Sequence, residues 1–311
     1  MCSSDLVLPG VALAQGEHIH EPTTTAPTPS APSGPRPAGE RVALEAVRAT
    51  GPVRIDGMLD ESVWKDAHPI DAFVQQEPLE GQPATDRTDV RVLYDEGHLY
   101  IGVHAFSSLP VAATEMRRDA DRLFDEDNFQ VILDTFHDSR NGYMFLTSPL
   151  GAKLEQQVFD EGEGGGRGTT SNVNRNWDGV WDATARIVDD GWTAEISIPF
   201  STVRFVPRDD QTWGVNFQRF IRRKNETVLW APIPRAYSLT RVSLAGELVG
   251  CVEVYAFLFP LVVQVIPRLQ QVMPDVALRL LEQMPARSNE LVVVLYDYVH
   301  IAPLVSPLAF Y

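Results

Sequence analysis

Between residues 42 and 250 the chain alternates short β-forming segments with tight turns, and this rhythm limits it to an all-β fold. Residues 90–94 and 98–105 flank the turn Asp95-Glu96-Gly97, and similar pairs recur over residues 181–198 and 213–230. Two runs of β-branched and aromatic residues separated by a short Gly-containing turn predict a hairpin. Several such hairpins in succession predict an antiparallel β-sandwich, jelly-roll-like, with short helical turns.

The individual segments differ in how clearly they alternate. Residues 128–134 alternate apolar and polar side chains, which predicts a strand with one buried face. Residues 60–67 predict a short helix with Asp60 as its N-cap, and Ser201 begins another helical turn after Pro199.

Charge and cysteine content limit the function classes. The formal net charge is −16, which argues against nucleic acid as a partner because phosphate binding needs a basic face. Neutral or cationic ligands and metal ions fit this charge better. The two cysteines, Cys2 and Cys251, are too few for a disulfide framework or a thiolate metal cluster.

The N-terminal region predicts export. Residues 1–14 contain a short apolar run ending in Ala12-Leu13-Ala14, which indicates a degraded signal-peptide remnant. Residues 15–41 form a Pro/Thr-rich stretch with almost nothing apolar to bury, which predicts a disordered linker. We therefore expect an exported protein in a periplasmic, outer-membrane-associated or extracellular location.

Residues 251–311 differ in composition and residue pattern from the predicted sandwich at 42–250. All 21 glycines lie before residue 251, and the apolar runs after it lack turn residues between them. Two interpretations stay open for this tail of unknown structure: a helical appendage or an out-of-frame translation.

Three aromatic-rich blocks are the most specific signals in the chain. The first is Ile55-Asp56-Gly57-x-Leu59-Asp60-Glu61-x-x-Trp64, and the second runs from Trp177 through Trp192 to Phe200. The third is Trp213-Gly214-Val215-Asn216-Phe217-x-Arg219. Trp64, Trp181, Trp192 and Trp213 lie inside patterned segments, which predicts that they pack in the core.

Together these blocks resemble the family 9 carbohydrate-binding modules, in the version that precedes a bacterial outer-membrane β-barrel. The resemblance covers residues 45–250 and implies a sandwich of two antiparallel sheets. It implies a non-catalytic carbohydrate-binding module of an exported bacterial protein, associated with polysaccharide recognition or degradation. Its partners would be an oligosaccharide or polysaccharide and an outer-membrane barrel.

The resemblance also implies a site in which two aromatic rings hold the end of a sugar chain. Phe124 stands where family members have a tryptophan before a strand reading D-x-V-E, Asp127 keeps its place, and Gln130 replaces the glutamate. Tyr237 is the nearest candidate for the second ring, and Trp230 is the next. Stacking suits sugars because their axial C–H groups present an apolar face.

Two further groups complete the candidate site. Arg118 is able to clamp hydroxyls or carboxylates with its planar guanidinium. The resemblance also implies calcium, for which Asp119, Asp121 and Asp125 are the candidate ligands, although their spacing does not match a helix–loop–helix calcium loop.

Three alternatives remain open from the sequence alone. A glycoside hydrolase needs two carboxylates across a cleft, for which Asp127, Asp134 and Glu155 are candidates. A haem-binding sandwich needs an axial pair, such as Met144 with His104 or His137. A purely structural ectodomain of a barrel protein shares the predicted fold but binds no sugar.

Overall fold

A computed structural model describes residues 41–163, 172–206, 208 and 211–251. The predictions for residues 1–14, for 15–40 and for 252–311 lie outside the described residues.

The described residues form fourteen strands, which we number β1 to β14 in chain order. They are Ala43–Glu45, Val47–Arg48, Val74–Glu77, Thr88–Tyr94, His98–Phe106, Asn128–Asp134, Gly142–Thr147, Lys153–Val158, Val173–Asn174, Asp182–Val188, Gly191–Pro199, Thr212–Ile221, Glu226–Leu229 and Gly246–Val249. Within this part of the chain, every helical element is a single 3₁₀ turn, at Ser62–Lys65, Asp121–Asp125, Asp160–Gly162, Arg222–Lys224 and Val242–Leu244.

The described strands form two sheets. The larger has the order β1-β14-β12-β6-β7-β8-β9, and β13 joins β12 to β3 beside this path. The smaller has the order β10-β11-β5-β4-β2. The predicted antiparallel sandwich with short helical turns is confirmed, except that the short N-terminal strands β1 and β2 pair in parallel with β14 and β4.

The main core lies between the two sheets. Alternate residues of β6, namely Phe129, Val131 and Leu133, meet alternate residues of β5 such as Ile101 and Val103. Trp181, Trp192 and Trp213 also belong to this cluster, as the sequence predicts. Burial of these faces is the main stabilising term because it removes a large apolar area from water.

The outer face of the larger sheet is covered as well, which corrects the prediction for residues 128–134. All seven residues of β6 are buried rather than every second one. A second apolar cluster explains this, because Ile132 and Met144 on the outer face contact Leu123, Leu239 and Val242 from the connecting segments. The sequence pattern shows the alternation along β6, but it does not show that connecting segments pack over the outer face of the sheet.

The helix predicted at residues 60–67 is shorter than expected. It is the 3₁₀ turn Ser62–Lys65, and its N-cap is Glu61, with no side-chain cap hydrogen bond, instead of Asp60. Among the described residues, no helix is both long and apolar enough to cross a membrane.

The first two sequence blocks meet at one buried carboxylate. Glu195 on β11 accepts hydrogen bonds from the backbone N–H groups of Asp56 and Gly57, at 2.9 and 2.8 Å, and from the indole of Trp64 at 2.9 Å. Burial raises the pKa of Glu195 above its ordinary value, although these donors oppose the shift. The contacts fix the turn at Asp56-Gly57 and pack Trp64 on the outer face of the smaller sheet.

Candidate functional site

The outer face of the larger sheet carries a pocket of about 420 Å³. Its apolar lining consists of Phe124, Met144, Val173, Phe220 and Leu239. Its polar lining consists of Gln130, Gln156, Arg175, Gln218, Thr227, Ser238 and Thr240.

Strand register brings the central lining residues together. Gln218 on β12 is the cross-strand partner of Gln130 on β6. Met144 pairs with Gln156 between β7 and β8, and Phe220 pairs with Thr227 between β12 and β13. Directly opposed residues of an antiparallel pair place their side chains side by side on one face. The pocket floor is therefore a patch of amides and apolar side chains.

The segment before β6 positions the ring of Phe124. Leu123 is completely buried beneath this segment, and Asn128 donates hydrogen bonds of 2.9 Å to the carbonyls of Leu123 and Glu126. Gln130 in turn donates to the side-chain oxygen of Asn128 at 2.9 Å. Phe124 itself is only partly buried and faces the pocket. A hydrogen-bonded strand therefore holds the 3₁₀ turn that presents the ring.

Glu126 ties the same segment to the preceding loop. Its carboxylate accepts hydrogen bonds from the backbone N–H groups of Thr114 and Glu115, at 2.5 and 2.9 Å. Burial alone raises the pKa of Glu126, but these hydrogen bonds outweigh it and lower the pKa below its ordinary value. The carboxylate is thus engaged in holding this loop and lies outside the described lining of the pocket.

The segment after β13 forms the opposite wall of the pocket. Asn216 on β12 donates to the carbonyl of Ala231 at 2.8 Å and accepts from its N–H at 2.9 Å. Gln76 on β3 donates to the carbonyls of Ile233 and Tyr237, at 3.1 and 2.9 Å. These bonds hold the wall that contributes Ser238, Leu239 and Thr240 to the lining.

Two amides on the pocket floor have no protein partner in the described part of the chain. Gln156 is 5 % exposed and Gln218 is partly exposed, and neither side chain hydrogen-bonds to a described residue. Neither is among the described polar groups that are both sealed from solvent and unpaired, so both stay within reach of a ligand. A side-chain amide both donates and accepts, which matches a sugar hydroxyl.

The pocket brings together two of the sequence-predicted site residues, Phe124 and Gln130. Tyr237 lies beside the wall residue Ser238 and is 43 % exposed, but it is not part of the lining. The guanidinium of Arg241 lies 4.6 Å from the centre of the Tyr237 ring, so one ring face is already covered.

Trp230 and Asp127, which the sequence predicts in the binding site, both lie outside the lining of this pocket. Trp230 is 3 % exposed and its ring lies against Phe217 in the core, so little of the ring is open to a ligand. The carboxylate of Asp127 accepts hydrogen bonds from the N–H groups of Ala112 and Arg222, at 2.6 and 2.7 Å. Both residues therefore stabilise the fold and lie outside the pocket lining.

Arg118 is also engaged outside the pocket lining. Its guanidinium donates to the carboxylate of Glu155, to Asp178 at 2.6 Å and to the carbonyl of Gly179 at 3.2 Å. Glu155 in turn accepts from the indole of Trp181 at 2.9 Å. Arg118 thus joins its own segment to β8 and to Asp178-Gly179, whereas the sequence suggested a ligand clamp.

The candidate calcium ligands do not converge in the described part of the chain. Asp119 lies 3.5 Å from Arg118, Asp121 lies 2.8 Å from Arg175, and Asp125 is exposed. Among the described residues, no group of three or more His, Cys, Asp or Glu is arranged to hold a metal ion. Calcium therefore stays a prediction from the resemblance alone.

The candidate hydrolase carboxylates are also separate from the pocket. Asp134 accepts hydrogen bonds from the N–H groups of Asp138 and Ser139, and burial raises its pKa. Asp127 and Glu155 are engaged as described above. The described lining residues include no carboxylate, so the geometry offers no acid–base pair across the pocket.

Sequence reasoning missed Gln156, Gln218, Phe220 and Thr227. Their signal was present, because Gln218 and Phe220 occupy alternate positions of one strand. Choosing them from the many alternate polar positions requires the cross-strand register, which no single segment contains.

Comparison with known proteins identifies this domain. Residues 55–228 match the model of the family described as carbohydrate family 9 binding domain-like. The chain belongs to this family. The resemblance inferred from the three sequence blocks is thus confirmed, and membership supports a non-catalytic carbohydrate-binding module.

Three solved structures of carbohydrate-related proteins are similar to this family 9 domain. A putative carbohydrate-binding protein from Bacteroides uniformis has a TM-score of 0.51 at 14 % identity, covering 68 % of this chain and 99 % of that one. It supports the sandwich fold.

Family 9 modules from Caldicellulosiruptor kristjanssonii are also similar. The one in complex with glucose has a TM-score of 0.45 at 15 % identity, covering 67 % of this chain and 95 % of that one. The one in complex with cellotriose has a TM-score of 0.43 at 16 % identity, covering 67 % and 93 %. A search of curated protein sequences finds no match to this chain.

Proposed function

We propose that this family 9 domain binds the end of an oligosaccharide or polysaccharide in the pocket on the outer face of the larger sheet. The observation that carries the proposal is the partly exposed ring of Phe124 beside the unpaired amides of Gln156 and Gln218. Family membership supports the same ligand class.

The composition of the pocket suits a sugar. The rings of Phe124 and Phe220 give apolar surface for the C–H face, and the amides and hydroxyls around them match sugar hydroxyls. Ligand pockets commonly enclose roughly 300–1,000 Å³. A volume of about 420 Å³ lies near the lower end, which favours a chain end over a long stretch of polysaccharide.

A glycan array followed by calorimetry on the best ligand tests the proposal, with Phe124→Ala compared against Phe136→Ala. Phe136 is a suitable control because it is 37 % exposed and lies outside the pocket lining. We expect Phe124→Ala to weaken binding about tenfold or more, which corresponds to about 1.4 kcal/mol. Phe136→Ala should bind like the original chain.

Two results would contradict this proposal. If the folded protein binds no glycan, the domain is a structural ectodomain. If Phe124→Ala and Phe136→Ala bind equally well, the sugar lies elsewhere on the molecule.

We further propose that residues 1–14 are a degraded signal-peptide remnant and that the protein is exported to a periplasmic, outer-membrane-associated or extracellular location. A barrel partner and an association with hydrolases of glycosyl bonds belong to the same proposal. Export is supported by the apolar run ending in Ala12-Leu13-Ala14, and the barrel and hydrolase associations are supported by the resemblance of the three sequence blocks to modules that precede an outer-membrane barrel. Cell fractionation with N-terminal sequencing tests it: a mature protein beginning at Gln15 is expected, and an intact cytosolic chain would refute it.

A further inference from the structure

The pocket combines a single cation with an absence of acids in its described lining. Arg175 is charged, whereas the other described lining residues are amides, hydroxyls, a thioether and hydrocarbon groups. This contrasts with the whole chain, whose net charge is −16. The described lining is therefore locally suited to an anionic group, although the chain as a whole is acidic.

The arginines near the pocket differ in how firmly they are engaged. Arg241 contacts the carboxylates of Glu161 and Glu163 and covers the ring of Tyr237. Within the described residues, Arg175 contacts one carboxylate, that of Asp121 at 2.8 Å, and the two side chains are 63 % and 83 % exposed. Arg175 is thus the more available guanidinium.

We propose that the saccharide bound in this pocket carries a carboxylate, as a uronic acid does, and that Arg175 binds this carboxylate. The inference rests on the proposed function and names its ligand class. An ion pair as exposed as Arg175–Asp121 contributes little, because water screens it and two flexible side chains must be ordered. A ligand carboxylate therefore displaces Asp121 from Arg175, or shares Arg175 with it, at a small cost in free energy.

Arginine is suited to this role because its planar fork matches both oxygens of a carboxylate. The amide N–H groups of Gln218 and Gln156 are further donors in the lining. The hydroxyls of Ser238 and Thr240 hydrogen-bond to each other at 2.6 Å, which leaves one hydroxyl hydrogen of this pair for a ligand. The described lining includes no carboxylate, and Asp121, which pairs with Arg175 from outside the lining, is the carboxylate that opposes the ligand. A neutral sugar would use the rings and amides but leave Arg175 with Asp121.

Calorimetry with a matched pair of oligosaccharides tests the inference, one ending in glucuronic acid and the other in glucose. We expect the uronic acid ligand to bind at least tenfold more tightly, with the difference shrinking as salt is added. Arg175→Gln should abolish the preference, because binding of the uronic acid ligand should weaken about tenfold, to the level of the glucose ligand with the same variant. Asp121→Asn should strengthen binding of the uronic acid ligand a few-fold.

Arg140→Gln is the matched control, because Arg140 is an exposed arginine paired with one aspartate, Asp160, and does not line the pocket. It should keep the preference. If both ligands bind equally and Phe124→Ala weakens both, the inference is wrong while the proposed function holds. If neither ligand binds the folded protein and no other glycan does, both are wrong.

Discussion

At the scale of single residues, two buried glutamates accept hydrogen bonds from tryptophan indoles, one on each sheet. Glu195 accepts from Trp64 in the smaller sheet, and Glu155 accepts from Trp181 at the side of the larger sheet. A buried carboxylate without such partners would be costly, so each pair depends on both members. The residues that identify the family are therefore mostly structural, and they lie away from the pocket.

We expect Glu195→Gln to lower the free energy of unfolding by about 1–3 kcal/mol. One oxygen of Glu195 accepts from Asp56 and Gly57 while the other accepts from Trp64, so a glutamine amide must face one of these donors. Urea unfolding measures the change. Glu45→Gln is the control, because Glu45 is exposed on β1. Equal stability of the two variants would show that the buried contacts of Glu195 contribute nothing.

The residue scale also shows where sequence interpretation succeeded. Phe124 and Gln130 could be selected because they lie before and within one strand in a recognisable order. Trp230 was selected for its aromatic ring, but it follows directly after β13 and its ring lies in the core, where Phe217 contacts it. Residue type alone does not decide which face of a sheet a side chain occupies.

At the scale of elements, the turn between β4 and β5 is fixed by a side chain within it. Asp95 accepts hydrogen bonds from the N–H groups of Gly97 and His98, at 2.7 and 2.8 Å, and from the hydroxyl of Tyr100 at 2.7 Å. Burial raises the pKa of Asp95, but these bonds outweigh it and lower the pKa below its ordinary value.

This turn should make stability depend on acidic pH. Because the folded pKa of Asp95 is depressed, its contribution is present above the unfolded pKa of about 3.9 and is lost as the pH falls through the lower folded value. Asp95→Asn should lower the free energy of unfolding by about 1 kcal/mol at pH 7 and show a smaller further loss on acidification. Denaturant unfolding between pH 7 and pH 3 measures both effects.

Asp189→Asn is the matched control for this turn. Asp189 occupies the related turn between β10 and β11 but is exposed, and its side chain hydrogen-bonds to no described residue. Its substitution should leave the pH profile unchanged. An identical response of the two variants would mean that the Asp95 contacts do not couple to protonation.

At this scale, the distance along the chain between paired strands explains which pairings the sequence analysis could not predict. The hairpins β4–β5 and β10–β11 are local, and their turns predicted them correctly. The β6–β12 pair joins segments about 80 residues apart, and it alone places Gln130 beside Gln218. A shift of one residue in this pairing would move every side chain to the opposite face.

At the scale of the whole molecule, one buried arginine joins the two sheets. Arg219 on β12 is 1 % exposed and donates to the carbonyls of Arg87 and Phe106, at 3.0 and 2.6 Å, and to the hydroxyls of Thr88 and Ser107. Burial lowers the pKa of Arg219 to about 10. The third sequence block thus ends in a residue that fixes one sheet against the other.

We expect Arg219→Lys to lower the free energy of unfolding by about 3 kcal/mol or more, since an ammonium cannot reach four acceptors arranged for a planar fork. Arg222→Lys, at an exposed arginine near the end of the same strand, should change stability by less than about 0.5 kcal/mol. Chemical unfolding of both variants measures the difference. A tolerated Arg219→Lys would mean that the sheets are held by apolar packing alone.

The sequence by itself determined the sandwich, its hairpins, its tryptophan core and its family, because these depend on local alternation, turn residues and short motifs. Only the tertiary structure decided the pocket. Phe124, Gln156, Gln218 and Arg175 come from separate segments, and long-range strand register together with the covering segment after β13 brings them to one face. Such proximity depends on which strands pair and on what covers them, and no local pattern records either.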